Sequence, residues 1–252
     1  MKVIFVGAGP GDPELLTRKA ARLLESCRCC IYAGSLVAPE VIALIPAEAE
    51  KHDSAGLTLA QTTEICRRAA ERGIDVIRLH TGDPAIYGAI REQMAELDQL
   101  GIAYEVVPGV SSFQAAAAAL KTELTAPEVA QTIVLTRVSG RTPVPPGQEL
   151  EKLAQSGSTL CLFLSVHKIA ELARTLAGPY GEDCPVGVVY RASWPDERLV
   201  SGTLADIAAK VEAAGIGKTA MIIVGRALER HGAASRLYDA TFSHGYRQAE
   251  TP

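Results

Sequence analysis

MKVIFVGAGPGD, residues 1–12, decides the fold class. An apolar, β-rich run at residues 3–6 enters a glycine turn directly, and residues 13–26 then set Leu16, Ala20, Leu23 and Leu24 on one helical face. Strand, tight turn and helix open a βα unit, and an unbroken apolar run suits a strand buried on both faces. Three glycines in five residues exceed what a plain βα connection requires, so the turn is expected to present backbone to a ligand, with a purely structural turn as the other reading.

The same alternation continues outward from that turn. Short strands are predicted at residues 30–32, 75–80 and 104–107. Helices are predicted at 58–72 and 85–100, stopped by Gly73 and Gly101, and at 111–120, capped by Ser111 or Ser112. Such βα repetition with short connections implies a parallel sheet covered on both faces. Beyond Lys121 the texture changes: residues 122–130 carry Pro127 and little periodicity. Strands then recur at 132–138, 159–166, 186–190, 198–200 and 220–224, with helices at 168–177 and 204–214 and a Pro/Gly-rich loop at 141–147. The close spacing of strands around 186–202 predicts a mixed sheet. The expected fold is α/β, with an N-terminal α/β domain at 1–121, mainly parallel, and a C-terminal one at 122–240, mixed. Residues 231–252 show no period, and 241–252 are expected to form a mobile tail.

Composition narrows the function classes. Hydrophobic residues at 48% and charged residues at 21% of 252 are ordinary globular values, which excludes a disordered chain. A net charge of −4 argues against nucleic acid as the partner, and 5% aromatic content offers no stacking platform for single strands. Six cysteines, at 27, 29, 30, 66, 161 and 184, show no paired zinc-ligand spacing and are read as buried thiols; no metal is expected. The apolar opening is too short for a signal core, and no run approaches the roughly 18 apolar residues that cross a bilayer. The chain is expected to be soluble and cytoplasmic, with no membrane partner.

The glycine loop is not a dinucleotide fingerprint. That motif wants its third glycine where this chain has Asp12, whose charge would oppose a pyrophosphate at the helix N-terminus. No acidic residue closes the second strand, where Tyr32-Ala33-Gly34-Ser35 stands, and a Walker lysine is missing. Further turns fall at predicted strand ends, where an open α/β sheet binds its ligands: 82–87, 108–112, 163–165, 190–193 and 217–220.

Taken together, GAGPGD at 7–12, GDP at 82–84, VPGVSS at 107–112 and AMIIVG at 220–225 resemble the tetrapyrrole (corrin/porphyrin) methylase family along essentially the whole chain. Within it, YAGSLV at 32–37, HTGDPAIYGA at 80–89 and VVYRASWPDE at 188–197 resemble the members that methylate carbon 11 of a corrinoid precursor in cobalamin biosynthesis. The resemblance implies a homodimer of two-domain chains. It also implies S-adenosylmethionine held in folded form in a cleft between the domains, with a small-molecule tetrapyrrole as acceptor. Carried onto matching positions, cofactor contacts fall on Pro10, Thr81, Gly82, Asp83, Ile86, Tyr87, Ser111, Ser112, Leu164, Ala192 and Ala220. The chain departs from the family at Phe163-Leu164-Ser165, where many members carry a Tyr-Met-Gly triplet; leucine can supply the same apolar wall.

Chemistry adds roles to these positions. Methyl transfer to carbon is mostly a matter of aligning two ligands, so no triad or metal cluster is required. Asp12 has two readings: a base or hydrogen-bond acceptor towards a ring N–H, or a helix cap. Gly9, Gly11, Tyr32 and Ser35 are candidates to face the macrocycle, and Arg191 to pair with one of its carboxylates. His80 reads as a structural histidine rather than a catalytic one. Rival readings are methylation of another precorrin carbon, of uroporphyrinogen III or of a protein histidine, a tetrapyrrole carrier without turnover, and an NAD oxidoreductase.

Overall fold

Residues 2–7 form a buried strand because their side chains find apolar neighbours on both faces. Ile4 and Val6 meet Ala20, Leu24, Val41 and Leu79 on one side; Val3 and Phe5 meet Cys66, Ala69 and Leu97 on the other. The computed structural model describes residues 1–140, 142–229 and 239–249, and the side chain of Ser35 also lies outside the description. The chain divides into two compact units. One comprises Met1–Ala115 with Arg191–Glu197, the other Ala116–Tyr190 with Arg198–Pro252. The linear division into 1–121 and 122–240 differs from this partition at the junction, which falls after Ala115, and in that Arg191–Glu197 belongs to the first unit.

The first unit contains β1 (Lys2–Gly7), α1 (Arg18–Glu25), β2 (Cys29–Tyr32), α2 (Pro39–Ile42), β3 (Glu50–Asp53), α3 (Leu59–Glu71), β4 (Val76–His80), α4 (Ile90–Gln99), β5 (Ala103–Val107) and the start of α5 (Ser112–Leu120). Its strands are all parallel, in the order β3-β2-β4-β1-β5. That order puts the C-terminal ends of β4, β1 and β5 side by side. The chain leaves β1 towards α1, on the face of Ile4 and Leu79, and leaves β4 towards α4, on the face of Val3 and Phe5. Neighbouring strands whose connections depart to opposite faces open a crevice at their carboxyl ends.

The second unit contains β6 (Ile133–Thr136), α6 (Leu150–Leu153), β7 (Thr159–Leu162), α7 (Ile169–Tyr180), β8 (Pro185–Tyr190), β9 (Arg198–Thr203), α8 (Ile207–Ala213) and β10 (Ala220–Val224). Its sheet, β6-β7-β10-β8-β9, is mixed as expected: β6 and β7 are parallel, and every other pairing is antiparallel. Leu160, Leu162, Val188, Ile222 and Val224 form its core with Leu172 and Leu176 of α7 and Ile207 and Val211 of α8. Of the expected tail, 231–238 and 250–252 lie outside the described residues; 239–249 contains turns and a His244–Arg247 bridge. Among the described residues no helix is long and apolar enough to cross a membrane.

Candidate active site

The ends of β1, β4 and β5 meet through backbone alone. A Cβ on Gly7 would stand 2.6 Å from the Gly109 backbone and 2.7 Å from the Gly82 carbonyl oxygen, and one on Gly109 would collide with the Gly82 carbonyl. Only glycine permits three turns to come this close. They are then tied together. Gly9 and Gly82 exchange backbone hydrogen bonds of 3.2 and 2.8 Å, and the Ala8 amide donates to the His80 carbonyl at 2.7 Å. Asp83 joins two of them with its carboxylate: Oδ1 accepts the Ala85 N–H at 2.8 Å and Oδ2 the Gly109 N–H at 2.9 Å. Ser111 and Ser112 follow, with their backbone 3.7–3.8 Å from where a Gly82 side chain would begin. The Ser111 amide is capped by Gln114 Oε1 at 2.9 Å. Pro10, Thr81, Gly82, Asp83, Ser111 and Ser112 are thus gathered at one edge of one sheet.

Asp12 occupies the capping position of a short 3-10 turn, Pro13–Leu15, where Oδ1 accepts the Glu14 N–H at 2.8 Å. The capping reading of Asp12 is therefore realised in this structure.

Backbone strain picks out the same turns. Among the described residues, eight other than glycine have positive φ, including Tyr87 (54°), Ala89 (50°), Leu164 (54°), Arg191 (46°), Ser193 (68°) and Thr219 (54°). A side chain disfavours this region, and such residues concentrate at functional turns. Three of the six, Tyr87, Leu164 and Arg191, are sequence candidates; Ser193 and Thr219 adjoin Ala192 and Ala220. Tyr87 and Leu164 are also 47% and 68% exposed, large apolar groups presented to solvent by a strained backbone. Ile86 stands beside Tyr87, its amide turned to the Asp83 carbonyl at 3.2 Å.

One participant escaped the sequence reading. The segment Arg191–Glu197 joins β8 to β9 yet packs with the first unit. Its Trp194 donates its indole N–H to the Pro10 carbonyl at 2.7 Å, and Ser193 Oγ accepts the Asp12 N–H at 3.1 Å. Ala192, buried, is delivered with it. The Arg191 guanidinium lies 4.3 Å from the centre of the Trp194 ring and pairs with Asp196 at 2.8 Å. The signals available were that this is the sole tryptophan of the chain and that it falls in the 188–197 stretch on which the resemblance rests.

The remaining candidates stand on other elements. Leu164 and Ala220 belong to the second unit, after β7 and at the start of β10, where Ala220 pairs with Tyr190. Tyr32 ends β2, half-buried, its carbonyl taking both the amide and the hydroxyl of Ser54 at 2.9 Å. Ser35 falls in the turn Gly34–Leu36, its side chain outside the described residues. His80 is 5% exposed with Nε2 lacking a hydrogen-bond partner. Burial, with Arg78 nearby, pushes it down to about 3, so it is a neutral imidazole at pH 7.

All six cysteines are buried and free. Burial raises Cys29 and Cys66 to about 11, whereas a hydrogen bond with Cys30 lowers Cys27. Cys29, Glu50 and His52 bring ligand-type atoms within 4.8 Å of one another. Arg72 nevertheless engages both Glu50 oxygens, at 2.6 and 2.9 Å, and a cation there would compete with the guanidinium.

The profile of the Tetrapyrrole (Corrin/Porphyrin) Methylases matches residues 2–208. A cobalt-precorrin-4 C(11)-methyltransferase of Methanocaldococcus jannaschii is 50% identical over 250 residues, 98% of this chain and 96% of its own. A precorrin-4 C(11)-methyltransferase of Pseudomonas aeruginosa is 48% identical over 99% of this chain and all of its own. Among solved structures, a cobalt precorrin-4 methyltransferase of cobalamin biosynthesis superimposes with a TM-score of 0.88 at 44% identity, covering 90% of this chain and 96% of that one. The uroporphyrin-III C-methyltransferase of Thermus thermophilus complexed with S-adenosylhomocysteine gives 0.76 at 32%, covering 90% and 93%.

Proposed function

The chain belongs to the tetrapyrrole (corrin/porphyrin) methylases, and from that membership we propose that it transfers a methyl group from S-adenosylmethionine to carbon 11 of precorrin-4 or cobalt-precorrin-4 in cobalamin biosynthesis. The observation that carries the reaction is near-50% identity, over essentially all of both chains, to two enzymes named for it. The S-adenosylhomocysteine-bound relative supports the donor.

The residues present fit such a donor. The edge formed by Gly7, Gly9, Gly82 and Gly109 offers backbone polar groups and no side-chain bulk. Tyr87, five residues beyond Gly82, leaves about half of its side chain exposed for an apolar contact with a ligand. When bound, S-adenosylmethionine supplies an activated methyl on a sulfonium, and that methyl passes to the ring carbon as the S–C bond breaks. The protein's part is alignment, which can contribute roughly 7–11 kcal/mol when both reactants are held in line. Pro10, Thr81, Gly82, Asp83, Ile86, Tyr87, Ser111, Ser112 and Ala192 are assigned to the donor on this reading, with Leu164 and Ala220 of the second unit as further contacts. Asp83 would act by shaping the turns, since each of its oxygens already holds an amide. Gly9, Gly11, Tyr32, Ser35 and Arg191 are assigned to the macrocycle, where Arg191 would exchange Asp196 for a substrate carboxylate. Asp12 stands close enough to the same turn to accept from a ring N–H with the oxygen its cap leaves over. We further read the enzyme as a cytoplasmic homodimer, for which light scattering should return twice the chain mass.

The test is incubation with methyl-labelled S-adenosylmethionine and, separately, precorrin-4, cobalt-precorrin-4 and uroporphyrinogen III. Label at carbon 11 of either precorrin is expected, and the ratio of the two kcat/KM values assigns the cobalt state. Retention of tetrapyrrole without methylated product would make the protein a carrier; label on uroporphyrinogen III alone would move it to the other branch of the family.

A further inference from the structure

We propose that Trp194 is a positioning residue for methyl transfer: its indole fixes the Pro10–Asp12 turn, and with it the alignment of the reactants. This rests on the reading of that turn as ligand-facing. Three observations converge on it. The indole N–H donates to the Pro10 carbonyl at 2.7 Å, although 184 residues separate the two in the chain. Gly11 lies so close to the indole that any Cβ there would overlap the ring, so glycine and tryptophan are matched as a pair. The neighbouring Ser193 hydroxyl takes the Asp12 amide at 3.1 Å, which holds the turn from both of its ends.

The segment that carries Trp194 is itself over-determined. Arg191 and Ser193 both hold left-handed backbone, a conformation that persists only where surroundings impose it. Here the Ser193 amide donates to Glu197 Oε2 at 2.7 Å, the Trp194 amide to the Arg191 carbonyl at 3.0 Å, and the Arg191 guanidinium covers the indole. A rigid loop that grips a glycine turn in two places sets where the turn's backbone lies. The chemistry is sensitive to that placement, because a misplacement of about 1 Å in aligned reactants can cost on the order of 100-fold in rate.

Trp194 is the only tryptophan, so replacing every tryptophan by β-(3-benzothienyl)-alanine in an auxotrophic host changes this site alone. The analogue keeps the ring and substitutes sulfur for the N–H. With precorrin-4 and labelled S-adenosylmethionine, kcat/KM should fall about tenfold, mostly in kcat, while the melting temperature stays within about 2 °C. Trp194→Phe should show the same split. Independently, the emission of Trp194 in the native chain should shift on titration with S-adenosylhomocysteine, with the midpoint that calorimetry gives. A fall of less than threefold in the benzothienyl protein, or binding heat with unchanged emission, overturns the proposal. Absence of both heat and methylated product in the native chain would instead count against the proposed function.

Discussion

Gly109 faces backbone on every side that a side chain would enter: the Gly82 carbonyl, then the Gly7 Cα at 2.8 Å and carbonyl carbon at 3.1 Å. Nothing there can rotate away. Gly109→Ala should therefore cost about 3 kcal/mol or more, at the upper end of overpacking penalties, read as a shift in urea midpoint. Gly56→Ala is the matched control, since a Cβ there meets nothing within 4 Å, and it should stay within about 0.5 kcal/mol. Equal effects would mean that the turns are not interlocked. Asp83 makes a different case. Its two oxygens hold the amides of Ala85 and Gly109, so Asp83→Ala strands a partly buried N–H on the β5 turn. A loss of about 1.5–3 kcal/mol is expected in S-adenosylhomocysteine affinity, because the turn that Asp83 shapes would relax. Calorimetry on the purified variant decides it, and unchanged affinity would remove Asp83 from the machinery.

The elements that were legible in the sequence are those whose physics is local. Thr58 and Gln61 write a capping box, and both halves of it form: the Thr58 amide donates to Gln61 Oε1 at 2.8 Å and the Gln61 amide to Thr58 Oγ1 at 3.3 Å. Thr58→Ala should accordingly cost about 1 kcal/mol, by chemical denaturation, with the site unaffected. The buried parallel strands and the mixed second sheet were equally readable from apolar runs and their spacing. Where reading failed, a local turn, a polar edge or a distant partner intervened. Residues 13–26 have one helical period, yet Asp12 caps a separate short turn, Leu16 is extended, and Thr17 caps α1 afresh through the Ala20 amide. Residues 85–100 break likewise: α4 begins only at Ile90, because the Gly-Asp-Pro turn winds through left-handed Tyr87 and Ala89 first. β3 went unseen since Glu-Lys-His-Asp has no apolar alternation; it is an edge strand held by β2. Trp194 could not be placed from sequence at all, because its meaning lies in a carbonyl 184 residues away.

At the scale of the whole molecule, one buried group shapes the acid limit of stability. His80 closes β4 directly before the Thr81–Asp83 turn, beneath Phe5, with its Nε2 unpaired and Arg78 close by. Burial and that neighbouring cation hold its folded value at about 3, against 6.5 for the unfolded chain. Since the folded value is the lower one, the unfolded state binds the extra proton, and stability declines as pH falls below 6.5. The carboxylates act in a lower window: Glu64 and Glu105 sit at about 2 in the folded chain against 4.5, so their loss begins only near pH 4.5. Between pH 6.5 and 5 the slope thus belongs chiefly to His80, and over that interval it amounts to about 2 kcal/mol. His80→Leu keeps the site apolar and removes the titration. The urea midpoint should fall from pH 7 to pH 5 in the native chain and stay level in the variant, whatever the variant costs at neutral pH. Parallel declines in the two proteins would assign the acid sensitivity elsewhere and remove His80 from the account of it.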